Sequence, residues 1–424
     1  MAMIPEQDIL GDLAAAMADH PLDGDEAAGA RLLDDLGLAA PVERPPAGPT
    51  HLCLNLAQAC NLCCPYCYGG AGEYGKPGLM SREVAVAAID MLFERGGPGD
   101  YRITLFGGEP LLNFEVLAAA LEHAQSRAAQ VERNVGFELS TNGTLITPEI
   151  ADFLRRHQVE MVVSIEGDRR AHDRVRSCGH DGTYDVVLER LAPWLEARDQ
   201  RLAAVATLTH LDPDVERHVT HILGLGFRQV SARPVATADP EFALTRDDWE
   251  TLKAGASALA LRFLAAAEQG ELLGWEGMLR PVRLLWRGAA RGYRCGAGGE
   301  LLAVDAEGRL YPCHRFIGRE QFIWGDVWHG PDAALREAFL EAAWVDRRSE
   351  CAGCWARYLC GGRCYQVEAL SVDGPEQAEG RCRLARRGIA LAIQVHARLR
   401  ERFGEHWLAR LLLSQELGRR GHGR

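Results

Sequence analysis

The chain has 424 residues, 47% of them hydrophobic, and a formal net charge of −12 with Lys and Arg interspersed. That length can bury one large core and a smaller second domain, and the acidic balance argues against a nucleic-acid partner, whose binding draws on phosphate neutralisation. No stretch approaches the roughly 18 apolar residues of a membrane span, and Met1-Ala2-Met3-Ile4-Pro5-Glu6 lacks the basic, then apolar, start of a signal peptide. A cytoplasmic protein with no membrane association is therefore expected, acting on a small molecule or a polypeptide.

Residues 1–49 read as an acidic leader or partner segment, ending in the extended Pro-rich connector 41–49. Strands are predicted over 52–56, 101–106, 136–140, 160–165, 203–209 and 227–234. Amphipathic helices are predicted between them over 81–94, 116–131, 148–157 and 185–197. Such alternation implies parallel βαβ units, a partial or full barrel over 50–240 with functional loops at the C-terminal strand ends. An Ala/Leu-rich helical bridge follows over 241–294. Residues 295–385 have short strands, many Gly turns and most of the remaining cysteines, the pattern of a domain organised by ligation more than by a core. One or two amphipathic helices are expected over 386–424.

Thirteen cysteines are too many for disulfides in a reducing compartment, and their odd number points the same way. Buried free thiols would scatter, whereas five cysteines fall in 53–67, seven in 295–382, and Cys178 stands alone. Cys60-x3-Cys64-x2-Cys67 directly follows the first strand. Three thiolates on one tight loop can cap three irons of a [4Fe–4S] cube and leave the fourth iron open; a zinc knuckle drawing also on Cys63 is the alternative. At the second strand end, Gly107 and Gly108 allow close backbone approach and the Glu109 carboxylate can accept from an ammonium.

The loop from Cys60 to Cys67, with Tyr66 before its last cysteine, resembles the signature of the radical S-adenosylmethionine (SAM) superfamily. The resemblance implies a partial (β/α)6 TIM-like barrel, SAM and one catalytic [4Fe–4S] cluster on Cys60, Cys64 and Cys67, with an electron donor such as flavodoxin or ferredoxin. It further implies that Gly107, Gly108 and Glu109 hold the SAM amino group. Ser140 and Asn142 would line the site, Ser164 would meet the ribose, and Arg176 would meet the carboxylate. The chemistry implied is hydrogen-atom abstraction from an unactivated C–H bond by a 5′-deoxyadenosyl radical.

Cys295-x12-Gly308-x4-Cys313, then Cys351-x2-Cys354-x5-Cys360-x3-Cys364, then Cys382, resembles the seven-cysteine SPASM domain of radical SAM enzymes that modify peptides and proteins. By that resemblance Cys351, Cys354, Cys360 and Cys382 hold an outer auxiliary [4Fe–4S] cluster, and Cys295, Cys313 and Cys364 an inner one. Residues 296–301 offer no cysteine as a fourth inner ligand, leaving an iron open; a structural zinc domain is the alternative. Sulfatase maturases would want an acidic residue beside Cys313, where this chain has His314-Arg315-Phe316. The stretch from Cys295 to Gly318 instead resembles thioether-forming maturases, including that of a quinohemoprotein amine dehydrogenase subunit. The resemblance implies a peptide or small-protein substrate and an intrapeptide thioether as product, with the leader bound by a separate leader-binding protein or from elsewhere on this chain. Carbon–carbon or carbon–oxygen cross-linking, epimerisation and formylglycine formation are rivals within the class, as is a non-catalytic cluster protein outside it. Cys53 and Cys178 are nominal hydrogen donors for epimerisation, and each reads as a passive thiol.

Overall fold

The computed structural model describes residues 48–178 and 181–420; the leader over 1–49 lies almost wholly outside them, and so do the surroundings of the Cys178 side chain. Six parallel strands run in sequence order: β1 (His51–Gln58), β2 (Tyr101–Gly107), β3 (Val135–Thr141), β4 (Glu160–Ser164), β5 (Leu202–Leu208) and β6 (Gln229–Pro234). The helices between them include α1 (Arg82–Arg95), α2 (Phe114–Gln130), α3 (Pro148–Arg156), α4 (Arg169–Val175), α5 (Tyr184–Glu196) and α6 (Val215–Gly224). The fold is the expected α/β partial barrel. Helices α4 and α6 went unpredicted, and both are started by aspartate N-caps, Asp168 and Asp214.

Alternation along the strands separates a packing face from a polar one. In β1, Leu52, Leu54 and Leu56 are fully buried in one core with Ala85, Ala88, Ile89 and Leu92 of α1. The strand registers align the other face across the sheet: Asn55 with Phe106, Ser140, Val162, Ala203 and Gln229, then Ser164 with Val205 and Ser231, then Thr207 with Arg233. This row of polar groups toward the strands' C-terminal ends is the site-forming surface.

Two long helices, α7 (Arg246–Glu268) and α8 (Glu276–Trp286), form the bridge. Strand β7 (Leu301–Val304) then pairs parallel with β1, and β8 (Leu310–Tyr311) pairs antiparallel with β7, so the cysteine-rich segment extends the barrel's own sheet. That segment also has an apolar core, a correction to its reading as ligation-organised. Rings of Phe316 and Phe322 lie 4.2 Å apart, Trp324 and Phe339 5.2 Å, and Phe339 and Tyr365 4.9 Å. Its periodicity was hidden by the short elements that carry these aromatics.

Short helices α9 (Ala333–Ala343), α10 (Ser349–Ala352), α11 (Arg357–Cys360) and α12 (Tyr365–Ala369) lead into α13 (Pro375–Arg420). Proline opens α13, where its missing N–H costs nothing, and Gly404 breaks the helical geometry at φ 71°. The expected boundary at 385 thus falls inside one helix. The missing side chain of Gly380 in that helix admits Trp249, whose ring would lie 2.3 Å from a Cβ there. Among the described residues no helix is long and apolar enough to cross a membrane.

Candidate active site

All twelve described cysteines are free thiols. Cys60, Cys64 and Cys67 follow β1 on one tight turn, where Cys67 N donates to Cys64 O at 3.0 Å. Burial pushes the Cys60 thiol up to about 11, with Glu109, Cys64 and Cys67 near enough to add to the shift. Cys63 points to solvent. Further along the chain, Cys295 and Cys364 both act on buried Cys313, whose thiol burial raises to about 12. Cys360 and Cys382 act on Cys351, and Cys360 and Cys354 on Cys382. The ten thiols therefore fall into three neighbourhoods. Among the described residues, no three His, Cys, Asp or Glu groups converge as donors of a single metal ion; thiols round a cluster each meet a different iron. Buried thiols pushed up in this way fit a cationic metal group, which supplies the charge that turns them into ligating thiolates.

The cysteine loop is anchored from β3. Asn142 donates through Nδ2 to Asn61 Oδ1 at 2.9 Å and lies 3.8 Å from Cys60 Sγ, while its Oδ1 accepts from Thr144 N at 2.9 Å. Asn142, expected to line the SAM site, instead orients the loop that carries Cys60. The glycines of the second strand end meet protein first. A Cβ on Gly108 would stand 2.3 Å from Ala59 O and 2.8 Å from Gly72 O, so their close approach is to β1's own continuation.

Glu109 departs from expectation in the same way. It is fully buried, and its carboxylate accepts from Leu111 N at 3.0 Å, Thr141 Oγ1 at 2.9 Å and Asn142 N at 2.7 Å. It therefore braces the ends of β2 and β3. Burial pushes its carboxyl up to about 7 despite those donors. Because this lies above the ordinary value of 4.5, the contribution of Glu109 to stability is whole below that value and is lost as pH rises to about 7. Relative to Glu109→Gln, the wild-type protein should lose about 2 kcal/mol between about pH 5.5 and 8 and then level off, read from urea midpoints.

The centre of the site is Glu166, which follows β4 and is 1% exposed. Its Oε1 accepts from Tyr66 OH at 2.6 Å and Arg176 Nε at 2.8 Å, and its Oε2 accepts from the Thr207 backbone N–H. One carboxylate thus ties the cysteine loop, the end of α4 and β5 together. Arg176, expected at the SAM carboxylate, has its Nε committed to Glu166, with its guanidinium 5.8 Å from the Tyr66 ring centre. Ser140 and Ser164 sit on the polar face half-buried, and among the described residues neither hydroxyl has a protein partner. Beside Glu166 lies a cavity of about 260 Å³, lined also by Ala171, Val175, Thr207, Leu211 and His218. Sequence reasoning missed it because its walls come from four separate elements with no shared motif.

The cysteine-rich segment packs on the second strand and on the cysteine loop of the barrel. The His314 ring lies 4.5 Å from that of Phe106 and 6.2 Å from that of Tyr68, and the Arg315 guanidinium stacks 4.7 Å from the Tyr68 ring centre. Burial, then Arg315 and Arg233 nearby, lowers the His314 imidazole to about 3, so it is neutral at physiological pH.

Residues 54–218 match the family model of the Radical SAM superfamily. Mycofactocin maturase MftC of Mycobacterium ulcerans is 27% identical over 77% of this chain and 87% of its own length. Among solved structures, anSMEcpe with bound AdoMet superposes with a TM-score of 0.70 at 18% identity, covering 84% of this chain and all of that one. SuiB of Streptococcus suis, solved bound to precursor peptide SuiA, gives 0.56 at 14% identity over 82% of this chain and 77% of that one. These structural likenesses are likenesses of fold. The family match runs from β1 to α6 and takes in the first cysteine loop, Glu109 and Glu166, and the chain is an enzyme with a radical SAM domain over these residues.

Proposed function

We propose that the enzyme modifies a peptide or small protein: a peptide carbon would give a hydrogen atom to the 5′-deoxyadenosyl radical, and closing a thioether to a substrate cysteine would release the thiol proton and pass one electron to a C-terminal iron–sulfur cluster. The observation that carries the peptide reading is the contact between the two cysteine regions: His314 and Arg315, next to Cys313, pack on Phe106 of β2 and on Tyr68 beside Cys67. A substrate held there lies between two thiol-ligated centres. The relationship to a maturase over most of both chains supports the same class.

When bound, SAM and the cluster on Cys60, Cys64 and Cys67 supply a carbon-centred radical for hydrogen abstraction. The protein's part is to place and to exclude. Asn142 fixes the Cys60 loop, Glu109 and Glu166 hold the strand ends at set positions, and the cavity beside Glu166 offers the SAM nucleoside a wall. Cys351, Cys354, Cys360 and Cys382 would hold one auxiliary cluster. Cys295, Cys313 and Cys364 would hold the other with one position left for a substrate thiolate, and that opening favours the thioether over the other products. Buried Cys53, which feels Cys313 nearby, stays protonated.

The test is the mass of a candidate peptide encoded beside this gene, co-expressed and purified. Each thioether removes two hydrogens, so a loss of about 2 Da per cross-link is expected. Deuterium uptake with no net mass change would replace the thioether with epimerisation, and an unmodified peptide beside active SAM cleavage would contradict that peptide as substrate.

A further inference from the structure

The two sets of C-terminal thiols meet at Arg294. It directly precedes Cys295 of the inner set, and its Nη1 donates to Cys360 O at 3.2 Å and lies 3.9 Å from Cys360 Sγ of the outer set. This approach is built into the backbone. Gly361 follows α11 at φ 72°, and a Cβ there would stand 2.3 Å from Tyr293 O and 2.8 Å from Arg294 N. Arg280 of α8 and Arg291 each donate to the Arg294 carbonyl at 3.3 Å, and Arg291 N donates to Tyr358 O at 2.8 Å. Residue 294 is thereby pinned against the helix that carries Cys360. Other arginines near the outer thiols are paired with carboxylates. Arg348, which acts on Cys351, is bonded to Glu368, and Arg363, which acts on Cys382 ahead of Arg386, is bonded to Glu350. Arg357, whose Nη1 lies 3.2 Å from Cys354 O, is bonded to Asp346 at 3.1 Å. Among the described residues the side chain of Arg294 has Cys360 as its partner and no carboxylate.

A cation that bonds to a ligating thiolate favours the more negative state of a cluster and so raises its reduction potential. We infer that Arg294 raises the potential of the outer auxiliary cluster, on Cys351, Cys354, Cys360 and Cys382, so that the electron released on thioether closure comes to rest there. This rests on the ligand sets and the reaction proposed above. In that step the carbon–sulfur bond forms, the thiol proton passes to water, and one electron reduces the outer cluster; the hydrogen atom has already left with the 5′-deoxyadenosyl radical. Because the Arg294 side chain is exposed, solvent screens its charge and limits the shift.

An anaerobic redox titration of the full-length reconstituted protein, followed by electron paramagnetic resonance, tests this. The couple that changes when SAM is added belongs to the first cysteine loop, and the couple altered in Cys382→Ser belongs to the outer set. Arg294→Gln should lower the equilibrium constant for reducing the outer cluster about three- to tenfold, a fall of about 30–60 mV for one electron. Arg294→Lys keeps the charge and should show less than half of that fall. Arg82→Gln, which removes an exposed charge on α1, should move no couple. An outer couple that stays in place in Arg294→Gln, or falls as far in Arg294→Lys, would overturn the proposal. A larger fall in the inner couple than in the outer one would overturn it too, as would loss of iron from both Arg294 variants, which would make the residue structural. Absence of iron from the C-terminal thiols of the wild-type protein would overturn the ligand sets themselves, and this inference with them.

Discussion

Replacing Cys60, Cys64 and Cys67 together by alanine is expected to remove about four iron atoms per chain and to cut 5′-deoxyadenosine formation by at least about a thousandfold, some 4 kcal/mol of barrel chemistry. Iron bound by the C-terminal thiols should remain. The separation follows from the neighbourhoods of the thiols: each influence on Cys60 comes from within the barrel, whereas Cys313 and Cys351 respond to partners in the cysteine-rich segment. The check is iron and sulfide analysis of the anaerobically reconstituted variant beside wild type, with SAM cleavage followed by chromatography. Loss of all iron would mean that the two regions do not load independently. Retention of wild-type cleavage would remove the loop from the chemistry.

The second large effect is expected at Glu166. Its side chain is 2% exposed, and that of Arg176, its ion-pair partner, is 12% exposed. Glu166→Leu leaves the guanidinium in a poorly hydrated site without its counterion and frees the Tyr66 hydroxyl and the Thr207 N–H, changes that together cost about 3–5 kcal/mol. The double variant Glu166→Leu/Arg176→Met should recover part of that loss, because no unpaired charge remains buried. Urea midpoints measure both. Glu166→Gln keeps the volume and an acceptor for one donor; it should fold, and its defect should show as a raised SAM concentration for half-maximal cleavage. Equal stability of wild type and Glu166→Leu would mean that the carboxylate does not hold these elements.

The strand pattern was readable because apolar strand-like runs alternate with helical patterns, and the predicted strand ends lie within two residues of those observed. The cysteine spacings were equally direct, since a thiol's chemistry depends little on its neighbours. Harder to read were the roles of conformation-dependent polar groups. Glu109, Asn142 and Arg176 all lie at the site, but each has partners within the protein, and these pairings join residues 10 to 82 positions apart. A short stretch of sequence cannot show them. Glu166 was visible at the end of the fourth strand beside Ser164, and only three-dimensional packing reveals that it joins Tyr66, Arg176 and Thr207.

The most direct measurement is of SAM cleavage itself. The reconstituted enzyme, reduced with dithionite under anaerobic conditions and given SAM, should release 5′-deoxyadenosine and methionine in equal amounts, faster with its peptide present. Failure to form 5′-deoxyadenosine with all three thiol sets loaded with iron would contradict the assignment of Cys60, Cys64 and Cys67 as the catalytic centre.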